Sequence, residues 1–111
     1  MGSNLIDEKS QEVKAIYEAI LNSLKSFGRF EIELKKTSIH IVNKSAFLGI
    51  HPKQKWIDVN IVSDHPLTSP MIKKTEQVSA HRYHNMIRIE NKSQVDSKMI
   101  SLFKEAYQLM S

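Results

Sequence analysis

The stretch SAHRYHNMIRIEN, Ser79 to Asn91, places two histidines, two arginines and a tyrosine within thirteen residues. Imidazoles exchange protons near neutral pH and ligate metals, while guanidinium groups grip phosphates. Three chemistries are therefore open: proton transfer, metal ligation and anion binding. Spacing shortens the list. Side chains alternate between the two faces of a strand, so His81 and His84, three residues apart, point in opposite directions. A third ligand from Asp58 or His40 has no HExxH or comparable spacing behind it, and no metal is expected. His84 with Asp58 from another strand is a chemically sound acid and base pair, ranked third among the functional readings. The chain has no nucleophile elbow, glycine-rich phosphate loop or close carboxylate pair, and only three glycines. No catalytic residue and no cofactor is assigned, and the stretch reads first as a strand.

Anion binding draws on more of the chain. Lys53 and Lys55 flank Gln54 in the connection HPKQK beside Trp56, the only tryptophan. Arg88 leaves the last strand. Alternation puts Ile87 and Ile89 in the core with His84, Met86 and Arg88 on the other face. It likewise puts Ile57, Val59 and Ile61 inside with Trp56, Asp58 and Asn60 outside. Ile39 and Ile41 leave His40 outside, and Leu48 with Ile50 leaves Phe47 outside. The expected ligand surface is thus His40, Phe47, Lys53, Lys55, Trp56, His84 and Arg88. Aromatic rings beside phosphate-binding charges suit a single-stranded nucleic acid or another polyanion. The same face suits a protein partner or a homodimer centred on Phe47 and Trp56.

These residues need a sheet and something to cover its other side. From Ser10 to Phe27 apolar residues fall at Val13, Ile16, Tyr17, Ile20, Leu21, Leu24 and Phe27, the three-and-four spacing of one buried helical stripe. Gly28 is placed to stop it. SIHIVN, SAFLGI and WIDVNIVS are short and rich in β-branched and aromatic residues, which predicts strands. FEIELKK is a possible irregular extra strand. Their short connections favour antiparallel neighbours. HPLTSPMIKKTEQV, His65 to Val78, reads as a loop crossing the sheet, with one helical turn around Met71 to Glu76. The last strand covers at least Tyr83 to Glu90. Ser93 and Asp96 resemble a capping box, and Val95, Met99, Leu102, Phe103, Ala106, Leu109 and Met110 form the stripe of a closing helix. The expected fold class is α+β: an antiparallel sheet of four or five strands with the N- and C-terminal helices packed on one face.

At 111 residues the chain is sized for one domain, read as 10–111, with 1–9 a disordered or expression-derived start. The formal charge is +4, and eleven basic against six acidic residues lie between Gly28 and Lys92. That excess attracts anions, although it serves equally as a solubilising surface. With no cysteine, disulfides and thiolate metal sites are excluded. The opening residues are too polar for a secretory signal, and no apolar run approaches the ~20 residues that span a bilayer. A cytoplasmic protein without a membrane partner is expected.

The run HNMIRIENKSQVDSKMISLFKEAYQLM, His84 to Met110, resembles the closing segment of an uncharacterised bacterial domain-of-unknown-function family. There a histidine-bearing strand leads through a polar turn and a Val/Ile-Asp pair, here Val95-Asp96, into a helix ending in Ala-Tyr, here Ala106-Tyr107. AFLGIHPKQKWIDVNI is similar to that family's central hairpin, and the resemblance spans most of Val13 to Met110. It implies a domain found alone or appended to others and sometimes labelled "predicted transport protein", with His84 and Tyr107 as its positions of interest.

Overall fold

The computed structural model describes residues 4–110. A single helical turn, α1 (Asn4–Asp7), places Ile6 against the core. Helix α2 (Gln11–Lys25) follows, capped by Ser10, whose hydroxyl accepts from the Val13 amide at 3.3 Å. Glu12 in the first turn and Lys25 in the last complement the helix dipole. Five of the seven predicted stripe residues, Val13, Ile16, Tyr17, Ile20 and Leu24, are buried, while Leu21 and Phe27, the latter beyond the helix, are half-buried against the core. The chain leaves the helix through Gly28 at φ +137°, a backbone conformation that side chains resist. A Cβ there would also stand 2.7 Å from the Tyr107 hydroxyl, so this glycine is required twice over.

Six strands form one antiparallel sheet: β1 (Glu31–Leu34), β2 (Ile39–Val42), β3 (Ala46–Pro52), β4 (Ile57–Ser63), β5 (Ile72–Ser79) and β6 (Arg82–Ile89), ordered β1-β2-β3-β4-β6-β5. A 3₁₀ turn at Lys92–Gln94 leads to α3 (Ser97–Leu109). Both long helices contact β4 and each other. Ile39, Ile41, Ile50, Ile57, Val59, Ile61, Ile87 and Ile89, alternate residues of four strands, are fully buried in the same cluster as the helix stripes. Burial of that face and of the two helical stripes against one another is the dominant stabilising term.

The sheet has six strands, not four or five. FEIELKK supplies β1 at one edge, and the segment read as a loop with a helical turn at Met71 to Glu76 supplies β5 at the other. Its sequence, IKKTEQVS, has no alternating apolar residues because seven of its eight positions are exposed. Backbone pairing to β6 holds it, and its lysines suit a protected edge. His81 is in the turn between β5 and β6, outside either strand. The last helix begins later than the Ser93 capping box implies. Asp96 is its cap, accepting from the Met99 amide at 3.0 Å, while Asn91 caps the preceding turn by accepting from the Ser93 amide at 2.8 Å. Leu109 of the predicted stripe is 40% exposed.

Phe47 is the clearest reversal. It is fully buried, edge-on to Tyr107 with ring centroids 5.3 Å apart, not displayed on the outer face. Ile41 pairs with Leu48 and Val42 with Ala46, so Phe47 is the extra residue of a β-bulge, and alternation fails at that point. Tyr107 also contacts Phe27 at 5.6 Å and donates its hydroxyl to the Arg29 carbonyl at 2.9 Å, which ties α3 to the chain entering β1.

Candidate functional site

The register lays the outer face out in rows. His51 of β3 stands opposite Asp58 of β4, which stands opposite Arg88 of β6. In the next row His40, Gly49, Asn60 and Met86 are successive neighbours across β2, β3, β4 and β6. In the third, Val62 faces His84, which faces Glu76 of β5. His40, His51, Asn60, His84 and Arg88 are all partly exposed.

At one end of this face Arg88 is fixed from two sides. Its guanidinium carbon lies 4.4 Å from the centroid of the Trp56 ring, and its Nε donates to Asp58 Oδ1 at 3.1 Å. Cation–π attraction and the ion pair act together, and Asp58 is 8% exposed, so solvent screens the pair less than it would a surface bridge. The Trp56 ring nitrogen is buried with no hydrogen-bond partner among the described residues. Lys53 and Lys55 are exposed on the adjacent β3–β4 turn, closed by a Lys53 amide to Trp56 carbonyl bond at 2.8 Å.

In the middle of the face, where Gly49 contributes no side chain, there is an open depression of about 330 Å³ bordered by His40, His51, Asn60, Arg82 and His84. The Asn60 side-chain nitrogen approaches His51 Nε2 at 3.5 Å. Burial pushes the His51 imidazole below its usual range, helped by the positive charge of Lys53 and by His40, against a smaller opposing pull from Asp58. Burial also lowers His84, with Glu76 opposing and Arg82 and His40 adding to the effect.

Six of the seven predicted surface residues therefore lie on or beside one face, and Phe47 does not. The proposed acid and base pair is not assembled: His84 stands opposite Val62, four residues along β4 from Asp58, roughly 13 Å at strand spacing. Asp58 is held by Arg88 instead. Among the described residues no group of three or more His, Asp or Glu is arranged to hold a metal. Sequence reasoning missed His51 and Arg82. HPKQK reads as a connection, whereas His51 lies within β3 and continues the outward phase of Gly49. A second hollow of about 290 Å³ between the end of β4 and α3 is lined by Leu67, Leu102, Ala106 and Leu109. Asp64, His65 and Glu105 also line it, and Asp64 Oδ1 pairs with His65 Nδ1 at 2.7 Å.

A family model described as "Domain of unknown function (DUF5655)" matches residues 3–110. No curated protein and no solved structure matches the chain. Among the described residues no helix is long and apolar enough to cross a membrane.

Proposed function

We propose, for a chain that belongs to the DUF5655 family of domains of unknown function, that it is a non-enzymatic binding module whose outer sheet face takes a polyanion, with single-stranded nucleic acid as the leading ligand. The observation that supports this reading most directly is the Trp56–Arg88 stack beside the exposed lysines of the β3–β4 turn. Unpaired bases stack on guanidinium planes as well as on aromatic rings. Arg88, already oriented by Trp56 and Asp58, presents such a plane without having to be ordered by the ligand. Lys53 and Lys55 supply phosphate contacts next to it. The alternative, a protein partner or second copy docking on this same face, is weakened by the burial of Phe47, which leaves Trp56 as its one large aromatic.

Trp56 is the only tryptophan, so its fluorescence reports on this place alone. Titration with oligo-dT and oligo-U should quench it, with affinity falling as salt rises because phosphate contacts release counterions. Absence of any binding to single- or double-stranded DNA or RNA at low salt overturns the reading.

A further inference from the structure

We infer that the depression over Gly49 is a binding site for a single phosphate group, held by His40 and His51 with His84 at its far rim, and favoured by acid. The inference rests on the outer-face reading and narrows it to one subsite. Three imidazoles arrive there from three strands, β2, β3 and β6, and border the same hollow. At about 330 Å³ and open to solvent, it lies near the small end of ligand pockets, which suits one compact group.

The floor has a specific cause. A Cβ on Gly49 would stand 3.7 Å from His51 Nε2 and 3.8 Å from the Asn60 Cβ, both ordinary contacts. The backbone there needs no positive φ, since among the described glycines Gly28 alone has it. Folding therefore tolerates a side chain at this position, and what the glycine preserves is the space between His51 and Asn60.

The charges around the hollow favour an anion. His40 and His84 each oppose protonation of His51, and His40 opposes that of His84. The surrounding carboxylates have other cations nearby: Asp58 pairs with Arg88 at 3.1 Å, and Glu33, across from His40, pairs with Lys35 at 3.5 Å. Glu76 faces His84 from β5 but shares that edge with Lys74, while Arg82 and Lys53 add positive charge at the two ends. Asp58 stands opposite His51 and Glu76 opposite His84, but no carboxylate lines the hollow itself, so an anion seated there would favour the charged rings that border it. Local hydrogen bonding points the same way. With the Asn60 amide nitrogen donating, His51 Nε2 accepts and the ring is neutral. Protonation makes both groups donors, which can no longer satisfy one another and are free to bind an oxyanion. Reciprocity then requires that phosphate raise the affinity of these imidazoles for protons.

The test is a pH titration of the histidine ring resonances of the full chain, in inorganic phosphate and in chloride of equal ionic strength. His65, paired with Asp64, and His81, in the β5–β6 turn, serve as internal controls. Phosphate should raise the apparent pKa values of His40, His51 and His84 by about half a unit or more, equivalent to roughly threefold tighter binding to the charged ring. The controls should not move. Gly49→Leu should abolish the effect, with His51→Gln as the second variant should the larger side chain disturb folding. An equal response of all five histidines, or an undiminished response in both variants, overturns the site.

An oligo-dT arm separates the sources of phosphate. Tighter binding near pH 5.5 than near pH 8, lost in Gly49→Leu, assigns the subsite to a nucleic-acid backbone. Histidine shifts with inorganic phosphate and no oligonucleotide binding keep the subsite for a free phosphate or small ester and discard the polyanion reading. Oligonucleotide binding that ignores both pH and Gly49→Leu, without histidine shifts, keeps the polyanion reading and discards the subsite.

Discussion

Arg88 lies over the Trp56 ring at 4.4 Å while its Nε donates to the nearly buried carboxylate of Asp58, so one side chain links the start of β4 to the end of β6. Removing it strands a charge. Arg88→Ala should destabilise the fold by about 1–3 kcal/mol in urea denaturation, because the Asp58 carboxylate loses its partner while staying largely desolvated. Asp58→Asn should cost less than Arg88→Ala, since the neutral amide still accepts from a guanidinium that Trp56 holds in place. Equal stability of Arg88→Ala and the parent would show that the pair is solvated and adds nothing.

The lysines of the β3–β4 turn test the surface rather than the fold. Reversing Lys53 and Lys55 to Glu should weaken polyanion binding several-fold or more and flatten its salt dependence. Stability should move by less than about 0.5 kcal/mol, as is usual for exposed positions. Trp56→Ala should weaken single strands more than duplex, because the stack is lost while the charge remains. Anisotropy titrations at two salt concentrations measure both effects, and full binding by the Glu variants would reduce the basic excess to a solubility feature.

Asn85 is fully buried in β6 with every hydrogen-bonding capacity of its amide used. It donates to the Ile61 carbonyl at 2.9 Å and to the Ser63 hydroxyl at 2.8 Å, and accepts from the Leu67 amide and the Thr75 hydroxyl, both at 3.1 Å. It thus fastens the loop after β4 and the edge strand β5 to the sheet. Asn85→Leu should cost about 2–4 kcal/mol, since buried backbone groups are left unpaired. Faster amide hydrogen exchange should appear at Leu67 and along β5 before the rest of the sheet. A uniform increase over all six strands would argue against this local role.

These residues show where the sequence is readable and where it is not. The stripe of α2 and the inward phase of β4 and β6 follow from periodicity, because burial of one face leaves a period in the chain. Edge strand β5 leaves none: both its faces are wet, and its pairing is made by backbone atoms that carry no sequence signal. Phe47 defeats alternation because a bulge adds one residue and flips its side chain. Asn85 was within reach, since it shares parity with Ile87 and Ile89, and an asparagine on a buried face has to find partners. The convergence of His40, His51 and His84 was not, because strand order sets it.

The aromatic contact that hides Phe47 also constrains Gly28. Phe47→Ala should destabilise by about 3–5 kcal/mol, as large-to-small changes in a packed core do. Gly28→Ala should destabilise through both its positive φ and the 2.7 Å approach to the Tyr107 hydroxyl. Tyr107→Phe removes that hydroxyl together with its bond to the Arg29 carbonyl. The double variant should therefore be more stable than the sum of the two single changes implies, because the clash no longer exists. Strict additivity in denaturant midpoints would leave backbone strain as the whole cost of the alanine.

Stability should also depend on pH through His51 and His84. Burial holds both imidazoles below their usual range in the folded chain, whereas in the unfolded chain they titrate near the ordinary value of about 6.5. As pH falls through that value the unfolded chain takes up protons first, so it binds more of them than the folded chain in the window between the two. Stability is accordingly full above the ordinary histidine range and declines as acid is added, levelling only below the depressed folded values. Denaturant midpoints between about pH 8 and pH 5 should fall in chloride, and the His51→Gln and His84→Gln double variant should remove part of that slope. Inorganic phosphate should also reduce it, since an anion over Gly49 favours the protonated folded state. A midpoint that rises on acidification, or a slope untouched by the double variant, would show that these two imidazoles are not held neutral by the fold.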